Sequence, residues 1–135
     1  MRKTFLALAL AAAACGIIVA APSQNAKYIG ADKCRMCHSA EHAGWLKTGH
    51  ARAFDLLVNV DQDKNAECLP CHTTGYGKGG YTDGAATPNL KGVQCESCHG
   101  PASEHNGDAT KIVKTPSAAV CVECHRNSDI HSAGS

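Results

Sequence analysis

The sequence predicts a small, mostly α-helical fold with extensive irregular loops, organised around bound groups more than around an apolar core. Three observations carry that expectation. The 135 residues are enough for one small domain. Beyond residue 21 large apolar side chains are sparse, with one Trp and three Tyr in the whole chain. Helix-period patterning is confined to short stretches separated by runs of glycine and polar residues. Domains this poor in core material recruit disulfides, metals or cofactors.

The elements follow in chain order. Met1-Arg2-Lys3 is basic, Phe5 to Ala21 is apolar, and Pro22-Ser23-Gln24-Asn25 is polar. That succession marks a secretory signal peptide. Residues 1–21 are expected to be cleaved, near Ala20–Ser23, leaving a domain of residues 22–135 that meets the membrane only during export. The alternatives are a retained anchor, although the run is barely long enough to span a bilayer, and a lipoprotein processed at Cys15. Against the lipoprotein, Ile17-Ile18-Val19 continues the apolar segment where a polar tether belongs.

From Ser39 to Val58 the chain reads as one helix, because Leu46, His50, Ala53 and Leu57 recur at i, i+4, i+7 and i+11, even though Gly44 and Gly49 interrupt it. That face turns His50 inward. Asn59 to Glu67, with Asp61, Asp63 and Glu67, is a solvated acidic loop without the spacing or glycine of an EF-hand. Residues 75–89 are glycine-rich turn material without a phosphate-loop pattern. Those glycines are expected to let backbone pass close to a bound group. A short helix is expected from Ser117, with Pro116 just before it. With net charge +1, no basic stripe and no aromatic platform, nucleic-acid binding finds no support.

Cysteine carries the chemistry. Apart from Cys15, the thiols form four pairs, Cys34/Cys37, Cys68/Cys71, Cys95/Cys98 and Cys121/Cys124, each with two residues between its members. Each pair is followed at once by a histidine: His38, His72, His99 and His125. A disulfide scaffold suits an exported chain but gives no reason for those histidines. Zinc ribbons use paired C-x-x-C knuckles and leave the histidines equally unexplained. A thioredoxin-like redox pair needs a βαβ pattern that is not visible. C-x-x-C-H is the attachment motif of c-type haem: the thiols form thioethers and the adjacent imidazole becomes the proximal iron ligand. Four covalently attached haems are therefore expected, with motifs 34, 27 and 26 residues apart. At that density the macrocycles supply much of the core.

Four histidines remain as sixth ligands: His42, His50, His105 and His131. Met1 leaves with the leader and Met36 is locked inside the first motif, so the irons are bis-histidine or open. Bis-histidine ligation lacks the potential-raising effect of Met, so low midpoint potentials are expected. His105 lies six residues past His99. Six extended residues reach at most ~20 Å, with no slack to round the rim of its own porphyrin. The same limit nearly forbids His42 on the haem of His38 and disfavours His131 on that of His125. Distal ligands are thus expected to be exchanged between motifs.

The stretches "YIGADKCRMCHSAEHAGWLKTGHARAF", "CLPCHTTGYGKGGYT" and "GVQCESCHGPASEH" resemble the cytochrome c-554 family of tetrahaem electron carriers, from about Tyr28 to His105. The resemblance implies closely stacked haem pairs in a largely helical and irregular fold. It implies His50 as distal ligand to the third haem and His105 as distal ligand to the first. It further implies that the second haem, on His72, lacks a protein sixth ligand, and that the fourth takes its distal histidine from a longer C-terminal region. Here the sequence stops at Ser135, which leaves His131, His42 or a histidine of another subunit for the fourth. The expected function is an exported, periplasmic or secreted carrier moving electrons between redox protein donors and acceptors, and not an enzyme. The alternatives are reduction of a small nitrogen oxide at a five-coordinate haem and a subunit of a polymeric haem wire, for which oligomers would form.

Overall fold

The computed structural model describes residues 25–82 and 86–126. Six short helices are found among them: α1 (Ala31–Cys34), α2 (Ser39–Trp45), α3 (Ala53–Val58), α4 (Leu69–His72), α5 (Cys95–His99) and α6 (Ala118–His125). Three 3₁₀ turns, His50–Arg52, Pro88–Leu90 and Ala109–Lys111, lie between them. The described residues contain no strand, only an isolated bridge between Thr73 and Lys91. A mostly helical fold with irregular connections is therefore what the chain adopts. No helix among the described residues is long and apolar enough to cross a membrane.

The helix expected over Ser39–Val58 is broken in two. α2 ends at Trp45 and the chain turns through 46–49. Thr48 makes the break: its hydroxyl donates to Trp45 O at 2.7 Å and accepts from Ala51 N at 3.4 Å, closing one helix and opening the next turn. Gly44 and Gly49 on either side offer little helix propensity to resist it. Leu46 consequently points outward, 53% exposed, while Ala53 and Leu57 are buried as the pattern required. His50 is exposed at the head of its 3₁₀ turn, not inward on a continuous helix. The helix expected after Pro116 forms as α6, with Ser117 at its N-cap, and residues 59–67 form an exposed chain of turns.

The core is small. Phe54, Leu57, Leu69, Tyr81 and Leu90 form one buried cluster, with Tyr28, Cys68 and Tyr76 packed partly against it. Phe54 and Tyr81 meet at 5.6 Å between ring centroids, and the Lys91 ammonium sits 4.6 Å from the centre of the Phe54 ring. Each buried side chain of this size contributes roughly 1.5–3 kcal/mol. Five of them are few for a domain of this length.

A buried polar seam does the rest of the joining. Thr74 donates its hydroxyl to Gly92 O at 2.8 Å and accepts from Gln94 N at 3.0 Å. Gln94 in turn accepts from Ala31 N at 2.6 Å and donates to Asn89 O and Lys91 O. Trp45 Nε1 donates to Val93 O at 2.8 Å, and Val93 N to His50 O at 2.9 Å, tying the broken-helix region to the third motif. The glycines of the 75–89 loop serve this protein packing. Gly75, at φ +73°, would bring a Cβ within 2.6 Å of the Tyr28 ring, and a Cβ on Gly80 would strike the Thr74 carbonyl. At these two positions the close neighbours are the Tyr28 ring and the chain's own backbone.

Candidate cofactor centre: paired thiols and paired imidazoles

Each C-x-x-C-H motif sits on a helical turn. The second, third and fourth end α4, α5 and α6, and the first runs from α1 into a turn where His38 N donates to Cys34 O at 2.9 Å. Residues at i, i+3 and i+4 of a helix share one side. Both thiols and the imidazole of each motif are thereby presented together, as attachment of one flat group requires. Gly100, at φ +83°, ends α5 immediately after its histidine.

The motif thiols differ in exposure. Cys34 is half-buried, whereas Cys37 is exposed. α1 ends at Cys34 and leaves Cys37 on the turn that follows. Cys37 N donates to Cys34 O at 3.2 Å, so the i, i+3 relation survives, but no element packs over the second thiol. Cys121 is also exposed, although it lies within α6; the remaining motif thiols are half-buried.

The motifs meet in pairs that skip along the sequence. α1 packs on α5, and α4 packs on both α3 and α6. Cys34 and Cys95 share a hydrogen bond, which raises the Cys34 thiol well above its usual range, with burial and the charges of Cys95 and Glu96 adding to it. The same bond pulls Cys95 down to about 6, against the opposing effect of burial. Burial, and next a hydrogen bond with Cys71, pushes Cys124 up to about 12. Burial, then the charge of Cys121, raises Cys98. Motif one thus adjoins three, three adjoins four, and four adjoins two. Among the described residues no three metal-ligating side chains converge, as a zinc ribbon would need them to.

The imidazoles pair across motifs as well. His105 lies against His38, with centroids 6.3 Å apart and rings inclined by 20°. His50 lies against His125 at 5.9 Å and 57°. Two imidazoles bound to opposite sides of one metal at about 2 Å per metal–nitrogen bond stand about 6 Å apart at their centroids. Both spacings fit an iron between the rings. The ring of His105 thus lies beside the histidine of the first motif. The resemblance implied His50 as ligand to the third haem; here its ring stands beside His125 of the fourth motif.

Backbone carbonyls orient the rings. His72 Nδ1 lies 2.6 Å from Ala53 O, His99 Nδ1 2.6 Å from Val113 O, and His105 Nδ1 2.9 Å from Asp108 O. A carbonyl only accepts, so Nδ1 carries the proton in each and Nε2 keeps its lone pair for a metal. Asp108 supports this from the next turn, its carboxylate accepting from Thr110 N and Oγ1. His42 is placed differently. It is buried against Trp45 at 5.3 Å, with Nε2 3.9 Å from Asp32, beside a cavity of about 240 Å³ that Gln94 also lines. The leader, Cys15 and His131 lie outside the described residues.

Sequence reasoning missed Glu96. It is 1% exposed between the two thiols of the third motif. Its carboxylate accepts from Ile29 N at 3.0 Å, Gly30 N at 2.7 Å and Ala102 N at 2.9 Å, closing the chain before the first motif onto the third. A charged residue inside an attachment loop was the available signal, and it reads equally well as solvent-facing.

Known proteins carry the same features. The family model "Cytochrome c554 and c-prime" matches residues 33–100, and the model "Doubled CXXCH motif" matches residues 87–129. The chain is 37% identical to cytochrome c-554 of Nitrosomonas europaea over 123 residues, covering 73% of this chain and 52% of that one. It is 26% identical to the multiheme cytochrome MtrA of Shewanella baltica over 108 residues, 73% of this chain and 24% of that protein. It is 31% identical to the C-type polyheme cytochrome OmcB of Geobacter sulfurreducens over 67 residues, 45% of this chain and 9% of that protein. The chain therefore spans about half, or less, of the curated relatives it matches. No solved structure matches it. On its helical fold, its paired motifs and these matches, the chain belongs to the cytochrome c554 family and is a multihaem c-type cytochrome.

Proposed function

We propose that the protein is an exported tetrahaem electron carrier, its domain running from residue 22 to 135. Cys34/Cys37, Cys68/Cys71, Cys95/Cys98 and Cys121/Cys124 hold one haem each, with His38, His72, His99 and His125 as proximal ligands. Haem supplies reversible one-electron chemistry at its iron, at a potential set by axial ligands, hydrogen bonding and burial. His105 is the distal ligand of the first site and His50 of the fourth. The spacing of the His38/His105 and His50/His125 ring pairs carries this reading, because it is the separation that one shared iron demands.

The chain's part is positional. Packing of α1 on α5 and of α4 on α6 pairs the first site with the third and the second with the fourth, and the first and second sites are taken as the two ends. Donor and acceptor redox proteins dock at those ends, briefly and through small interfaces. Carbonyl bonds from Ala53, Val113 and Asp108 keep the ring tautomers fixed through each cycle. His42, packed on Trp45, is a structural residue joining α2 to the first motif.

Paramagnetic resonance of the holoprotein tests the ligand set. His105→Gly should turn the haem of the first motif from low-spin to high-spin, and His50→Gly that of the fourth. Four haems stay attached in each, and added imidazole restores the low-spin signal. If His50→Gly instead changes the haem on His99, the fourth-site assignment is wrong. A wild-type pyridine haemochrome giving fewer than four haems per chain would overturn the tetrahaem reading.

A further inference from the structure

We propose that Glu96 is an internal anion that lowers the potentials of the first and third haems, acting as a positioning and tuning residue for that pair. The inference rests on the four-site reading above.

Geometry comes first. The Glu96 carboxylate is enclosed by three backbone N–H groups, from Ile29, Gly30 and Ala102, at 2.7 to 3.0 Å. Both oxygens act only as acceptors, the arrangement of an ionised carboxylate. The N–H dipoles stabilise the charge without cancelling it. The ion pairs found among the described residues are His42–Asp32 and Lys78–Glu123, so neither neutralises Glu96. Its place is between two attachment sites. It sits inside the Cys95/Cys98 loop, and it grips Ile29 and Gly30 just ahead of Cys34.

Its field reaches the same two sites. Glu96 directly follows Cys95 in the chain, and Gly30, whose N–H it holds at 2.7 Å, presents its carbonyl to Cys34 Sγ at 3.9 Å. A fixed negative charge inside a low-dielectric region favours the more positive, oxidised iron, which lowers the potential. Salt screens a buried charge far less than an exposed one.

Redox titration of the holoprotein decides the matter. Glu96→Gln and Glu96→Ala remove the charge, the first turning an amide toward the donors and the second leaving a polar space that water fills. Glu96→Asp keeps the charge while shortening its reach. Haemochrome assay and intact mass establish that each variant carries four haems. The first-site haem is identified as the one that His105→Gly makes high-spin.

In both neutral variants two of the four midpoint potentials should rise, the first-site haem among them, while the other two stay in place. In Glu96→Asp all four stay near wild type, even where its melting temperature falls as far. Unmoved potentials in the neutral variants, a uniform rise of all four, or an equal rise in Glu96→Asp would each overturn the proposal. Fewer than four haems in the wild type would instead remove the reading beneath it.

Discussion

Two glutamates lie inside attachment loops and come to opposite ends. In C-E-S-C-H, Glu96 directly follows the first cysteine; in C-V-E-C-H, Glu123 directly precedes the second. One position along a helix rotates a side chain by about 100°. Glu96 is therefore turned into the protein, onto the N–H groups of Ile29, Gly30 and Ala102. Glu123 is turned out, 61% exposed, and meets Lys78 at 3.0 Å. The half of the molecule built on the first and third motifs is closed by a buried charge. The half built on the second and fourth is closed by Leu69 and a solvated ion pair. A single step of register decides whether an acid becomes scaffold or surface.

The largest expected effect breaks the first half. Glu96→Ala strands the buried N–H groups of Gly30 and Ala102 and the part-buried one of Ile29, and with each unsatisfied group costing about 1–3 kcal/mol and water recovering part, the loss is about 3–5 kcal/mol. Glu123→Ala should cost under about 1 kcal/mol. Urea unfolding of the two holoproteins side by side makes the measurement, and equal losses would erase the contrast. In the second half the corresponding weak point is apolar. Leu69 is fully buried in α4, which packs on both α3 and α6. Leu69→Ala should cost about 2–4 kcal/mol. A smaller loss would mean that bound groups, not this side chain, hold α4 in place.

How much of this was legible in the sequence follows from the reach of each signal. Local spacing fixes the four attachment turns, since Cys at i and i+3 and His at i+4 need only one turn of helix. Spacing does not tell how far each thiol is enclosed: Cys37, on the turn after α1, and Cys121, within α6, are both exposed. Chain reach sufficed to send His105 away from its own motif, and its ring lies beside His38. The helix over Ser39–Val58 was overextended because apolar periodicity continues through Lys47-Thr48-Gly49, where a hydroxyl bond to Trp45 O ends it. That break moves His50 to His125, and nothing in the periodicity announces it. Glycines 75 and 80 were legible as close approaches, but not what they approach, which is Tyr28 and the Thr74 carbonyl, one remote and one local. Glu96 was illegible for a similar reason: its three partners come from segments 29–30 and 102, on either side of the motif in sequence.

The smallest effect is the most diagnostic of how the second half differs. Lys78 reaches from the glycine-rich loop to Glu123 on α6, and its ammonium is held above its ordinary range chiefly by that hydrogen bond. Both side chains are about two-thirds exposed, so solvent screens the pair heavily. Lys78→Ala should cost about 0–1 kcal/mol at low ionic strength. At 1 M salt, where the screening length is about 3 Å, the difference from wild type should vanish. The Glu96 cage should show no such dependence, because its charge lies where counterions do not enter. A Lys78→Ala deficit that persists unchanged in high salt would place this ion pair with the buried anion, and the division between the two halves would fall.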